Sequence, residues 1–540
     1  MLKRFFQSSV LFWIALTLLS LAGGYVLFYS TAVAPWAFSD STVYIAAGIN
    51  WIKGNGMGFF QADGLFAPLM HFPPGYPVLI GLTSLLVPDP ITAIRWINIL
   101  CFILLIFLGG LLLYKITQSK LLPLLYSILL IFSPFLIMPF SGAMSEAPAI
   151  LTGTLALLLL VRYRQTNRKA ILLAAGLLAA AAVFIRYQQA AILLAGGIFL
   201  LFLSRHNWKT CLKETLWYAL YSAGPFALWL ALKVISGSGN EPRELGLRGS
   251  IAEISQTFLA NTYYTVKYWF PWRTGLFPAV DASIMRVILV ALFVFLLTLG
   301  SWRWRKSGKQ INLTSPVLQL LLVCALYIAA DLFFLWAAML IASPPPDVDN
   351  RMLSPLLPIL FILLLCSIDL AGKPFDRKWP FSVAMIAVTL LFCITFTRQE
   401  RKYLVNMHYA GEGFTSITFK DSPLVYKIRE VNLKRKIITN SPALVQFFTL
   451  KEPYRAFEEP QDPAIVLTDR YGNADTAQQK VFREECAALV IFDPDLTYRY
   501  NPESALYFPP DARIVTNGLE EIFVDKLGKI YLYPGCKLTP

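Results

Sequence analysis

A few side chains of this 540-residue sequence have the type and setting to do chemistry beside an apolar medium. Asp40, in Ser39-Asp40-Ser41, and Glu146, in Ser145-Glu146-Ala147-Pro148, are isolated carboxylates next to long uncharged stretches. A carboxylate so placed can take a proton from a hydroxyl as general base or hold a metal ion. The alternative for both is a helix cap, a position that favours Asp. Arg186 interrupts two apolar segments and Arg351 opens another, and either can offer forked donors to a phosphate or snorkel to an interface. His71 and the basic residues Arg243, Arg248, Lys267 and Arg273 are further cationic donors. Asp331 lies inside an apolar stretch, where an acid is costly and serves either function or a buried hydrogen bond. Asp347-Val348-Asp349 has the spacing of a divalent-metal pair, although a solvated loop explains it equally well.

The elements that must position these groups are membrane helices. The chain is 56% hydrophobic and only 15% charged, which excludes a single soluble domain. Hydropathy predicts eleven spans, near 10–32, 92–114, 121–140, 147–161, 170–185, 188–204, 214–235, 284–302, 316–342, 352–370 and 379–396. Lys3/Arg4, Lys115/Lys120, Arg162 to Lys169, Arg205 to Lys213, Arg303 to Lys309 and Lys373 to Lys378 fall in alternate loops. Cationic loops stay in the cytoplasm, so the N-terminus is expected inside and the tail outside. The first span is expected to remain as an anchor, because it exceeds a signal-peptide core. The net charge of +14 arises in the membrane part, since residues 397–540 hold 19 basic and 19 acidic residues. Nucleic acid is therefore not an expected partner, whereas membrane lipids are.

With short basic loops inside, a site for polar substrates belongs on the outer face. Two long outer loops are expected there, 33–91 and 236–283. The first carries an amphipathic run (Val43 to Ile52) and the second an aromatic run (Phe258 to Trp272), both suited to helices in the interface. Gly54-Asn55-Gly56-Met57-Gly58 reads as a turn, and Pro73-Pro74-Gly75-Tyr76-Pro77 as a rigid re-entry. The chain divides at 396/397 into a membrane domain (1–396) and a small α/β domain (397–540). The tail shows strand-like runs at 436–439, 464–468 and 489–492, a Ser441-capped helix to Leu450, a helix at 476–488, and a hairpin at 521–533 turning at Leu527-Gly528. Cys486 and Cys536 either remain thiols or pair, closing a loop of about 50 residues worth about 4 kcal/mol in the entropic account.

Asp40-x-x-x-Tyr44, Ala46-Ala47, Gly54-x-Gly56, Pro73-Pro74-Gly75-Tyr76-Pro77, Ser145-Glu146-x-Pro148, Arg186-Tyr187 and Arg351-Met352-Leu353-x-Pro355-Leu356-Leu357-Pro358 follow one another in that order. This arrangement resembles the bacterial membrane glycosyltransferases of the GT-C superfamily, near the protein O-mannosyltransferases and lipid A aminoarabinose transferases. The resemblance implies an α-helical polytopic fold. It also implies sugar transfer from a polyprenyl-phosphate donor to a lipid, glycan or protein hydroxyl on the outer face of the inner membrane, with inversion. Asp40 then matches the first-loop catalytic acid and Glu146 the second-loop acid, with Tyr44, His71, Arg186, Arg351 and the basic residues of the second long loop against the donor. Many relatives carry an adjacent acidic pair where this chain has Asp40-Ser41, which puts a divalent metal at that place in question. The rival class is a multi-span transporter or flippase of lipid-linked sugars, although such proteins usually show internal repeats and none is evident here. The loop asymmetry makes one prediction: a reporter fused after Arg401 is active only outside the membrane, and cytoplasmic activity there overturns the topology.

Overall fold

The computed structural model describes residues 9–69, 71–203, 208–235, 246, 250–269, 315–342, 345–372, 379–455, 477–493 and 519–536. The membrane part comprises α1 (Ser9–Ser30), α2 (Ser39–Ile52), a hairpin of β1 (Gly58–Phe60) and β2 (Phe66–Pro68), α3 (Gly75–Ser84), α4 (Pro90–Thr117), α5 (Leu121–Ile131), α6 (Pro134–Phe140), α7 (Glu146–Thr166) and α8 (Lys169–Ile185). A short 3-10 turn (Tyr187–Gln189) then leads into α9 (Ala190–Leu203), α10 (Trp208–Ser222), α11 (Gly224–Ile235), α12 (Ile251–Trp269), α13 (Pro316–Ile341), α14 (Asn350–Leu353), α15 (Leu356–Gly372) and α16 (Trp379–Tyr409). The chain is a helical, polytopic membrane protein. Among the described residues five helices are long and apolar enough to cross a bilayer, α1, α4, α7, α13 and α16 as far as Thr397.

Four expected spans have a different form. The span at 121–140 is broken into α5 and α6, bent by 68°, where Pro134 starts the second helix and withholds an N–H from the first. The span at 214–235 is interrupted at Ala223, just before Gly224-Pro225, for the same reason. α8 and α15 have 17 residues each, about 25 Å of helix against a hydrocarbon core of about 30 Å. The span at 284–302 lies outside the described residues, as does the strand-like run at 464–468. The glycine-rich turn after α2 leads into the β1–β2 hairpin, which the sequence did not suggest.

The tail continues through α17 (Ile417–Lys420), α18 (Pro423–Lys434), β3 (Ile437–Thr439), α19 (Pro442–Thr449), β4 (Tyr454–Arg455), α20 (Ala477–Glu484), β5 (Ala488–Phe492), β6 (Glu520–Asp525) and β7 (Gly528–Leu532). Its five strands form one sheet in the order β4-β3-β5-β7-β6, with β3 parallel to both β4 and β5 and the other pairs antiparallel. Ile437, Ile438, Leu489, Val490, Ile530 and Leu532 are buried, the apolar content that a sheet covered by helices needs. Cys486 and Cys536 are joined by a disulfide, with Cα atoms 5.5 Å apart. Ser441 precedes α19 as expected but makes no side-chain cap bond; its N–H donates to the Thr439 hydroxyl instead.

This tail is tied to the segment between α1 and α3. Phe414 N–H donates to the Ala37 carbonyl at 2.8 Å, the Thr415 hydroxyl to Pro35 O at 2.7 Å, and Glu452 N–H to Phe60 O at 2.9 Å. Gly413 makes the approach possible: its φ is +64°, and a Cβ there would stand 2.2 Å from the Ala37 oxygen. Gly413→Ala is therefore expected to lower stability by at least about 1–2 kcal/mol from the backbone conformation alone. Thermal unfolding with limited proteolysis of the seam in detergent measures it.

Candidate active site

The site is assembled where four chain segments meet. The segment after α1 pairs with the segment before α7 like two short strands: Trp36 N–H donates to Ser141 O at 3.1 Å and Ala143 N–H to Trp36 O at 2.7 Å. The Trp36 indole donates to Met138 O, Asn98 to Gly142 O at 2.6 Å, and the hydroxyls of Ser30 and Ser141 meet at 3.0 Å. Gly142 is required here, because a Cβ would lie 2.3 Å from the Trp36 ring. These contacts set the start of α2 beside the start of α7.

Both acids stand in first helical turns, where the macrodipole favours an anion. Neither is the cap that the sequence allowed. Phe38 is the N-cap of α2, and the bond back to its N–H is accepted by the Ser41 hydroxyl at 3.1 Å, which leaves the Asp40 carboxylate for other work. Ser145 is the N-cap of α7, and Glu146 is its first residue, fully buried.

The arginines supply the compensation. Arg351 Nη1 lies 2.9 Å from Asp40 Oδ2, and its Nε lies 3.6 Å from Glu146 Oε1. Arg186 Nη1 lies 2.9 Å from the same Glu146 oxygen and donates to the Ser145 hydroxyl at 3.3 Å. The result is an alternating row, Asp40, Arg351, Glu146, Arg186, in which the formal charges cancel. Its ends differ in access: Asp40 and Arg351 keep 32% of their side-chain surface, whereas Arg186 keeps 12% and Glu146 none. Neither Glu146 oxygen accepts an aligned hydrogen bond among the described residues, so charge alone holds it. Burial works against the Arg351 cation, but Glu146, Asp40 and Asp349 together outweigh it and keep the guanidinium ionised well above its usual range.

Tyr44 closes the apolar side of the row, with its ring 4.7 Å from Phe72 and 5.2 Å from Tyr76 and its hydroxyl toward Ser145. Burial, with the nearby Asp40 charge, pushes its phenol well above the ordinary range, so it stays a neutral donor. Sequence reasoning missed Gln188, whose side-chain nitrogen reaches Asp331 and the Met352 carbonyl, because a glutamine in a turn has no local signature. Asp331 thus has the buried hydrogen bonds that were one of its two readings.

The remaining candidates are dispersed. His71 is exposed in the turn before α3. Lys267 lies over the rings of Tyr263 and Tyr264, at 5.8 and 6.0 Å, in the aromatic helix α12. Arg243, Arg248 and Arg273 lie outside the described residues. Asp347 is exposed and Asp349 caps α14 by accepting from Met352 N–H at 2.9 Å. Among the described residues no three His, Cys, Asp or Glu side chains converge as metal ligands, and the two site acids are engaged by guanidinium groups, so this donor set does not fit a divalent ion.

Residues 71–233, the stretch that carries Glu146 and Arg186, match the family profile described as dolichyl-phosphate-mannose-protein mannosyltransferase. This stretch is similar to that glycosyltransferase family. Among solved structures the chain is similar to ArnT from Cupriavidus metallidurans bound to undecaprenyl phosphate, at 13% identity over 97% of each chain with a TM-score of 0.46. It is also similar to the apo form of that protein, at 11% identity over 97% of this chain and 98% of that one with a TM-score of 0.48. The arabinosyltransferase EmbB from Mycobacterium smegmatis matches at 12% identity, over 73% of this chain and 40% of that one, with a TM-score of 0.40. No curated protein matches.

The charge row generates a stability prediction. Arg186→Ala leaves a fully buried carboxylate with Arg351, at 3.6 Å, as its only ion-pair partner among the described residues, and is expected to cost about 3–5 kcal/mol. The double variant Arg186→Ala, Glu146→Gln should recover a large part of that loss in thermal unfolding, because it removes the uncompensated charge.

Proposed function

We propose that this glycosyltransferase moves a sugar from a polyprenyl-phosphate carrier to an acceptor hydroxyl on the outer face of the bacterial inner membrane, with inversion. In this reading the N-terminus is cytoplasmic, eleven spans place the tail outside, and the chain divides near 396/397 into catalytic membrane domain and outer α/β domain. The observation that carries the reading is the alternating row, in which a half-exposed carboxylate and a half-exposed guanidinium touch at the mouth of a buried charge pair.

The chemistry follows from that geometry. The acceptor oxygen attacks the anomeric carbon, its proton passes to Asp40, and the bond from that carbon to the phosphate oxygen breaks as the carrier phosphate leaves. Arg351 is the accessible cation for the phosphate, with Arg186 behind it. In the ligand-free row Arg351 is paired with Asp40, so the carboxylate is engaged. A phosphate that draws Arg351 away frees the base at the moment the donor arrives. Glu146 keeps both guanidinium groups in place through that exchange, and Tyr44 presents a neutral hydroxyl to the same space.

Asp40→Asn keeps the shape of the side chain and removes its basicity. Turnover of a polyprenyl-phosphate sugar should fall at least about a hundredfold, within the range of general-base contributions, while donor binding is retained. A near wild-type rate removes Asp40 from the mechanism.

A further inference from the structure

Gln188 lies in the 3-10 turn between α8 and α9 and touches every element that carries an arginine of the site. Its Nε2 donates to Asp331 Oδ1 at 3.0 Å, to Asp331 Oδ2 at 3.1 Å and to the Met352 carbonyl at 2.8 Å. Its Oε1 accepts from Arg186 Nε at 3.1 Å. Met352 follows Arg351 in α14, and the Met352 sulfur lies against Arg186 Nη2. A single amide therefore joins the Arg186 side chain to the backbone next to Arg351.

The amide has one orientation that satisfies all four contacts. Arg186 Nε is a donor and needs the oxygen; the carboxylate and carbonyl are acceptors and need the nitrogen. Asp331 and the Met352 carbonyl favour that choice, because both present acceptor oxygens to the amide nitrogen. Asp331 stands ten residues before the end of α13, about 15 Å down the helix, which explains why an acid is kept inside an apolar span.

We propose that Gln188, oriented by the intramembrane Asp331, is the positioning residue that sets Arg186 and Arg351 at one spacing for a phosphate. The proposal rests on the reading of these two guanidinium groups as the donor-phosphate clamp. Without the amide, Arg186 loses its Nε partner and α14 loses its tie to α13, so the two cations take many relative positions. The cost then falls on phosphate affinity.

The test measures binding of undecaprenyl phosphate to the full chain in nanodiscs, together with KM and kcat for a glycosylated carrier. Gln188→Met, which keeps the shape and removes the amide, should weaken the Kd for the sugar-free carrier at least tenfold and raise KM in step, with a smaller change in kcat. Asp331→Asn keeps an acceptor for the amide and should stay within about threefold of wild type, whereas Asp331→Leu should resemble Gln188→Met. A Gln188→Met protein with unchanged Kd overturns the proposal. So does an Asp331→Asn protein as impaired as Asp331→Leu, which would show that the charge of Asp331 acts by itself; this comparison decides the matter if Gln188→Met does not fold. Wild-type protein that binds the carrier but transfers no sugar fails the enzymatic reading and leaves the Kd comparison standing.

Discussion

A carboxylate with no solvent contact sits at the start of α7, and the arrangement of the residues around it follows from the need to compensate it. Glu146 costs several kcal/mol to desolvate, and no aligned hydrogen bond offsets that cost among the described residues. Two guanidinium groups must therefore be delivered to one point from distant parts of the chain. Arg186 arrives from the turn after α8 and Arg351 from the short helix before α15. Asp40 then balances the second of them.

The scaffold explains how such a row stays in register. The strand-like pairing of Trp36 with Gly142 and Ala143 sets the two acidic helix starts side by side, and the tail holds the segment after α1 from the other direction through Ala37, Phe60 and Pro35. α2 is consequently pinned along its length, with Ala443 of α19 accepting from Thr42 at 3.4 Å. A folded tail attached in this way supports the segment that carries Asp40.

A gradient of exposure runs through the row. Glu146 is sealed and Arg186 nearly so, whereas Asp40 and Arg351 meet solvent. A forked guanidinium matches phosphate oxygens as well as carboxylate oxygens. If Arg351 moved away, Arg186 would still stand beside Glu146.

Local pattern in the sequence was enough for much of this. Apolar runs long enough to span a bilayer define α1, α4 and α13, because a helix in lipid must be apolar along most of its length. Period-two alternation and a Leu-Gly turn marked the β6–β7 hairpin, and isolated carboxylates among apolar residues marked Asp40 and Glu146. Breaks at Pro134 and near Pro225 were also written in the residue types, though a hydropathy window averages across them. Which side chain closes the first turn of α2 was not written there, since Ser41 and Asp40 are both competent caps and packing decided for Ser41. Nor could any local pattern bring Arg351 to Asp40, join Cys486 to Cys536, or single out Gln188. Those placements depend on where helices distant in the chain come to rest against one another, and only the packed structure fixes that.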